Sequence, residues 1–181
     1  KSSIPRDPQF YQNYNLGSCK KNFLAPARPT KHNTDEIIQL PSDFIFVPFQ
    51  VESDMQFTQQ SPWIKDMKHF YQVVYSLTEL YPRLTFVIKE HPNTRRIISK
   101  HLRPHDRIIF QNGRDTKDLI ELCSAVMTLN STVGIEALIA SKKVLVLANA
   151  TYGIPGLVLV AQSFNELKTA LEKLSDWSLD S

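Results

Sequence analysis

From Phe44 onward, short apolar runs of strand length alternate with stretches in which apolar residues recur at helical spacing. This alternation constrains the fold more than any other feature, because parallel strands joined by helical crossovers bury such a pattern. The runs are apolar on successive residues, as in strands that are covered on both faces. The predicted strands are Phe44 to Phe49, Leu84 to Lys89, Arg107 to Phe110, Ala125 to Leu129, Val144 to Ala148, and a shorter run from Leu157 to Val160.

Helix starts are predicted where capping residues precede apolar periodicity. Ser61-Pro62 gives an N-cap followed by proline at the first helical position, and apolar residues then recur from Ile64 to Leu77. Asp115 begins a second helix with a capping-box-like pair, and Ser163 begins the last one. Helical crossovers on both sides predict an α/β fold, with a doubly wound, mostly parallel Rossmann-like sheet of five to six strands.

The first part of the chain has a different character. Residues 1–43 are polar, contain five prolines and show no sustained periodicity, so a polar linker or strap is expected there. Residues 44–181 are expected to form the Rossmann-like domain. A chain of 181 residues has enough length for one hydrophobic core, and we expect only one.

Composition and charge exclude several classes of protein. The chain is 42% hydrophobic and 22% charged, and no apolar stretch approaches the roughly 20 residues of a membrane span. No signal-peptide pattern follows Lys1. A net charge of +3, spread along the chain, favours a small phosphorylated ligand over nucleic acid. Cys19 and Cys123 are too far apart in sequence to suggest a disulfide framework or zinc site, which predicts a reducing, cytoplasmic protein.

Ligands of doubly wound sheets bind beyond the carboxyl ends of the strands, so the residues that follow each strand are the candidates for chemistry. Gln50 and Asp54 follow the first strand, and a turn between them would bring both side chains to one site. Asp54 could then act as a nucleophile or general base. The alternative is that Asp54 caps a turn and Gln50 bonds the loop backbone.

Lys89-Glu90-His91-Pro92 ends the second strand, and Pro92 favours an extended His91 whose imidazole can donate to a phosphate or a leaving oxygen. A plain surface histidine is the alternative. The third strand ends in Gln111-Asn112, whose amides could bind a base edge or could simply form a turn.

The strongest local signal follows the fourth strand, which runs into a helix whose cap is Asn130-Ser131-Thr132. Backbone N–H groups, the helix dipole and two hydroxyls there predict a phosphate site. Glu136, one turn further, could accept hydrogen bonds from ribose hydroxyls. An ordinary capped helix is the alternative.

Several common motifs are absent from the sequence. It has no GxxxxGK[ST] loop, no GxGxxG after a strand and no GxSxG elbow. It also lacks DxD, HExxH and paired CxxC, so no metal is expected.

Four segments together resemble the bacterial capsule polysaccharide synthesis proteins that act as KpsC-like retaining β-Kdo glycosyltransferases. They are VPFQVESD from Val47, KEHP from Lys89, NSTVGIEAL from Asn130 and YGIPGL from Tyr152. The resemblance implies the nucleotide-sugar-binding half of a GT-B-like fold, with CMP-Kdo as donor, a glycan or glycolipid acceptor and no cofactor or metal.

The same resemblance implies roles for individual residues. Asp54, in the pattern Gln50-x-x-x-Asp54, would be the catalytic nucleophile of a double displacement that retains configuration. His91-Pro92 would hold the nucleotide, Asn130, Ser131 and Thr132 the phosphate, and Glu136 the ribose. Helix dipoles in place of a metal would stabilise the departing CMP. The other, N-terminal Rossmann-like half and a peripheral position at the inner-membrane face are further expectations.

Two alternatives to Kdo transfer remain at this point. One is transfer of another CMP-activated sugar such as sialic acid, which donor competition would distinguish. The other is a non-catalytic nucleotide-binding or interaction module of capsule assembly, which would be favoured if a folded sample did not bind CMP.

Overall fold

The computed structural model describes residues 36–51, 61–94, 98–174 and 176. Within them, six strands are β1 (Ile45–Pro48), β2 (Phe86–Lys89), β3 (Ile108–Phe110), β4 (Ala125–Thr128), β5 (Lys143–Val146) and β6 (Leu159–Val160). The α-helices are α1 (Met67–Leu80), α2 (Thr116–Leu122), α3 (Val133–Ile139) and α4 (Phe164–Lys173), and a short 3₁₀ turn covers Ser99–His101.

The strands form one sheet in the order β3-β2-β1-β4-β5-β6, and every neighbouring pair is parallel. The chain adds strands on one side of β1 and then returns to its other side with β4, which is the order of a Rossmann fold. The predicted α/β, doubly wound sheet is therefore confirmed, and the short run near Leu157 is a sixth strand.

Helices cover both faces of the sheet, and successive residues of β1 show how the faces divide. Ile45 and Val47 join the apolar cluster beneath α1 and α4, whereas Phe46 joins the cluster beneath α2 and α3. Side chains alternate along a strand, so a strand buried on both sides must be apolar at every position. All four residues of β1 are buried.

Of the helix starts predicted at Ser61, Asp115 and Ser163, two are confirmed. The carboxylate of Asp115 accepts from Lys117 N, and Ser163 Oγ accepts from Glu166 N. The predicted start at Ser61 is wrong, because α1 begins at Met67 and its N-cap is Asp66, whose carboxylate accepts from His69 N at 2.6 Å. Ser61 instead closes a local turn in which its hydroxyl accepts from Ile64 N. None of the helices in the described ranges is long and apolar enough to cross a membrane.

A substitution at the C-terminal end of α3 should stabilise the fold. Lys142 N donates to Ala137 O and Ser141 N to Leu138 O, which is a Schellman motif, and Ser141 occupies its left-handed position with φ of 56°. Because glycine adopts this conformation without a steric penalty, Ser141→Gly should raise the free energy of unfolding by about 0.5–1 kcal/mol. Urea unfolding measures the change.

The neighbouring Ala140→Gly is the matched control, since Ala140 has φ of −80°. Glycine should lower the free energy of unfolding there by about 0.5–1 kcal/mol. Equal effects of the two substitutions would contradict the argument from the left-handed backbone of Ser141.

Candidate functional site

The carboxyl ends of β1 and β4 meet at the point where the strand order reverses, and this is where doubly wound folds bind ligands. One hydrogen bond joins the two ends: Gln50 Nε2 donates to Asn130 Oδ1 at 3.0 Å. The side-chain oxygen of Gln50 is buried and has no partner among the described residues. The structure thus brings together two residues that the sequence predicted at one site although they lie 80 positions apart.

The loop between β4 and α3 is tightly bonded within itself. Ser131 Oγ accepts from Val133 N at 3.3 Å, and Ser131 O accepts from Gly134 N at 3.0 Å. Thr132, the N-cap residue, has helical backbone angles and makes no side-chain capping bond. The first-turn amides of Val133 and Gly134 are therefore engaged within the loop, and Thr132 and Glu136 are the exposed side chains of the predicted phosphate and ribose site.

Tyr152 contacts this loop and the start of α3. Its hydroxyl donates to Ser131 O at 2.5 Å, and its ring is 92% buried beside α3. Burial raises the pKa of Tyr152 to about 12, so the hydroxyl remains a donor at neutral pH. A methyl group on Gly134 would lie 2.4 Å from the hydroxyl oxygen of Tyr152. Glycine at this position therefore allows the helix and the tyrosine to come into contact.

The ends of β2 and β3 are joined by side chains that were predicted to bind ligand. Lys89 Nζ donates to Asn112 O at 2.9 Å and also to Arg114 O. Burial lowers the pKa of Lys89 from its ordinary value, while the nearby Asp115 carboxylate opposes that shift. Glu90, only 6% exposed, accepts a hydrogen bond from Asn112 Nδ2 at 2.8 Å. These bonds give Lys89, Glu90 and Asn112 an internal structural role, and their predicted contact with ligand stays a prediction.

Gln111 and Arg114 hold the segment that precedes β1. Gln111 is 1% exposed, and its Nε2 donates to Glu36 O at 2.9 Å. Arg114 donates through a guanidinium nitrogen to Ile38 O, also at 2.9 Å. The predicted base-reading role of Gln111 stays a prediction, and in this structure its amide nitrogen fastens residues 36–38 beside the end of β3.

His91 and Pro92, by contrast, are exposed. His91 Nδ1 accepts from Asn93 N at 3.1 Å, and His91 O accepts from Thr94 N at 2.9 Å. In the neutral ring the proton therefore resides on Nε2, which is the nitrogen left to donate to a ligand. The exposure of His91 fits the predicted role in holding a phosphate.

Asp54 lies outside the described residues, so its predicted role stays a prediction. No role was predicted for Trp63, whose indole N–H donates to Leu147 O at 3.0 Å and to Ala161 O at 3.3 Å. These carbonyls lie directly after β5 and β6, at the carboxyl ends of the strands. The two hydrogen bonds therefore fix the segment that leads into α1 at the same end of the strands as the candidate site. The carbonyl partners lie 84 and 98 residues away, which no local pattern could reveal.

The family model for capsule polysaccharide biosynthesis proteins matches residues 8–177, which include every strand end described above. The chain belongs to the capsule polysaccharide biosynthesis family. The resemblance inferred from the four sequence segments is thus confirmed.

The curated relatives that this chain matches are longer than it is. Protein FixF of Sinorhizobium fredii is 46% identical over 182 residues, covering 99% of this chain and 44% of FixF. The capsule polysaccharide export protein KpsS of Escherichia coli is 31% identical over 129 residues, covering 66% of this chain and 33% of KpsS. The chain therefore spans less than half the length of these curated relatives.

Solved structures show the same architecture. The beta Kdo 2,7 transferase KpsC of Thermosulfurimonas dismutans matches with a TM-score of 0.53 and 29% identity, over 72% of this chain and 44% of that one. The UDP-GlcNAc 2-epimerase of Methanocaldococcus jannaschii matches with a TM-score of 0.59 and 13% identity, over 78% of this chain and 41% of its own, which shows a shared fold alone. This member of the capsule family thus has a glycosyltransferase-like domain.

Proposed function

We propose that this chain is the nucleotide-sugar-binding half of a retaining glycosyltransferase that takes Kdo from CMP-Kdo. The hydrogen bond between Gln50 and Asn130 carries the proposal. It joins polar side chains from two of the family-like motifs at the carboxyl ends of β1 and β4, where the strand order reverses and doubly wound folds bind ligands. Membership of the capsule family and the 29% identity to KpsC support a Kdo donor.

Roles for the site residues follow from exposure and chemistry. His91 donates from Nε2 to the phosphate of CMP, because its other ring nitrogen is occupied by the Asn93 amide. Thr132, Ser131 and Asn130 hold the same phosphate at the start of α3, and Glu136 accepts from the ribose hydroxyls.

Asp54 is proposed as the nucleophile that attacks the anomeric carbon of Kdo and releases CMP. A sugar acceptor then displaces the carboxylate, and the two inversions retain the configuration. The side-chain donors of Asn130, Ser131 and Thr132 and the dipole of α3 stabilise the departing phosphate, and no metal is required in this scheme.

The remainder of the longer relatives is proposed to supply the second Rossmann-like half and to bind the glycan or glycolipid acceptor. This chain covers 44% of FixF and 44% of the matched KpsC structure, which leaves room for another domain of similar size. We place the complete enzyme in the cytoplasm, at the inner face of the membrane where a lipid-linked acceptor would be accessible.

Isothermal titration calorimetry of this chain with CMP tests the proposal. We expect a dissociation constant below about 1 mM for CMP and at least about tenfold weaker binding of UMP. His91→Ala should weaken CMP binding about tenfold, because a charge-assisted hydrogen bond to phosphate is lost. His101→Ala is the matched control, since His101 is also exposed but lies on the 3₁₀ turn.

Other outcomes separate the alternatives. A folded sample that binds neither CMP nor UMP would favour a non-catalytic interaction module of capsule assembly. If the longer protein transferred sialic acid from CMP-sialic acid in preference to Kdo from CMP-Kdo, it would be a different CMP-sugar transferase.

A further inference from the structure

Glu90 is a buried carboxylate next to the exposed His91, and within the described residues its two carboxylate oxygens accept four hydrogen bonds. Oε1 accepts from the backbone N–H groups of Ile98 at 2.5 Å and Ser99 at 3.1 Å. Oε2 accepts from Ser99 Oγ and from Asn112 Nδ2, each at 2.8 Å. An ionised carboxylate has acceptor sites for all of these donors, whereas an amide would present one of its N–H groups to another donor.

Asn112 returns a bond to the same residue. Its side-chain oxygen accepts from Glu90 N at 2.9 Å, and its backbone oxygen accepts from Lys89 Nζ at 2.9 Å. The end of β2 is therefore fixed to the loop after β3 through both the backbone and the side chain of Glu90. We call Glu90, Asn112 and Ser99 the Glu90 bracket.

The bracket restrains the chain on both sides of His91. Glu90 itself is the residue immediately before His91. Its carboxylate also binds the backbone N–H groups of Ile98 and Ser99, which are the residues at which the chain enters the 3₁₀ turn. The His91 ring is further oriented by the bond from Asn93 N to its Nδ1. A buried carboxylate with this many partners is costly to disturb, so the bracket holds the end of β2 and the start of the 3₁₀ turn in one arrangement.

We propose that the Glu90–Asn112 pair is a positioning pair that aims the imidazole of His91 at the nucleotide phosphate. This inference rests on the proposed function for the identity of the ligand, and it gives Glu90 and Asn112 a role that needs no contact with that ligand. Preorganised donors bind a phosphate without a further ordering cost, so loss of the bracket weakens binding through His91.

A charge-exchange experiment tests the pair. Glu90→Gln makes an introduced amide N–H face the N–H of Asn112, and Asn112→Asp makes two carboxylates face each other. The double variant restores one donor and one acceptor and has the same net charge as the original pair. We expect each single substitution to weaken CMP binding about tenfold and the double variant to recover to within about threefold of the original affinity.

The second readout is the NMR spectrum of the His91 imidazole in the absence of ligand. Each single substitution should shift and broaden the ring signals, and the double variant should restore them. Glu121→Gln makes the same charge change at an exposed helical position and should alter neither readout. If a single variant fails to fold, Ser99→Ala removes only one of the bonds to Glu90 and should weaken CMP binding about threefold.

The outcomes are distinct. Single variants that lose stability but keep the original CMP affinity and His91 signals would show a merely structural pair and overturn the inference. If the original chain does not bind CMP, the proposed function fails, while the NMR comparison still decides whether the pair positions His91. A double variant that recovers neither readout would also overturn the inference.

Discussion

Gly134→Ala is expected to lower the free energy of unfolding by about 2–3 kcal/mol, although alanine is the better helix former. The added methyl carbon would lie 2.4 Å from Tyr152 Oη, 2.7 Å from Cζ and 2.8 Å from Cε2. Because the ring is almost fully buried, it cannot rotate into solvent, and its displacement would break the hydrogen bond to Ser131 O. Urea unfolding followed by circular dichroism measures the loss.

Substitutions of Tyr152 make the test specific. Tyr152→Phe removes the nearest oxygen but leaves the ring carbons in place, so Gly134→Ala should remain destabilising in that background. In Tyr152→Leu the ring is absent, and Gly134→Ala should become stabilising by up to about 1 kcal/mol because only the helix-propensity gain remains. Ile135→Ala, at a position 40% exposed, is the control and should have a small effect. A destabilising Gly134→Ala in the leucine background would disprove the steric explanation.

Asp54→Asn is expected to abolish sugar transfer by the complete enzyme proposed above, with a loss of about a thousandfold or more in kcat. An amide cannot serve as the nucleophile, so the first displacement is lost. CMP affinity should change less than about threefold, since the phosphate and ribose contacts are elsewhere. Steady-state assays with CMP-Kdo and calorimetry with CMP measure the two effects.

The neighbouring carboxylate provides the control for that experiment. Glu52→Gln makes the same kind of change two positions away and should retain most of the turnover. Full turnover by Asp54→Asn would reject the nucleophile role, and equal losses in both variants would indicate a general effect on the loop.

The strand pattern was predictable because burial on both faces demands consecutive apolar residues, and β1 with Ile45, Phe46 and Val47 shows that demand directly. The start of α1 was not predictable from capping rules. Ser61-Pro62 satisfies those rules locally, but the indole of Trp63 bonds carbonyls after β5 and β6 and the helix begins only after Asp66. Tertiary contacts outweigh local capping preference at this position.

The edge on which the candidate site lies was predictable, because the polar residues after parallel strands share one edge of the sheet. Which of those residues would be buried and which would be exposed was not predictable. Glu90 and His91 are adjacent in sequence, yet one is 6% exposed and the other lies at the surface. The burial of Glu90 depends on Ser99 and Asn112, which are distant partners that supply donors only after folding.

The segment that precedes β1 connects the ligand side of the sheet with its other side. Gln111 and Arg114 fasten Glu36 and Ile38 beside the end of β3, and the chain then runs to β1, which begins at Ile45 at the opposite edge. The segment from Glu36 to Asp43 therefore runs from the ligand side of the sheet to the side on which β1 begins, and its hydrogen bonds to Gln111 and Arg114 tie it to the end of β3.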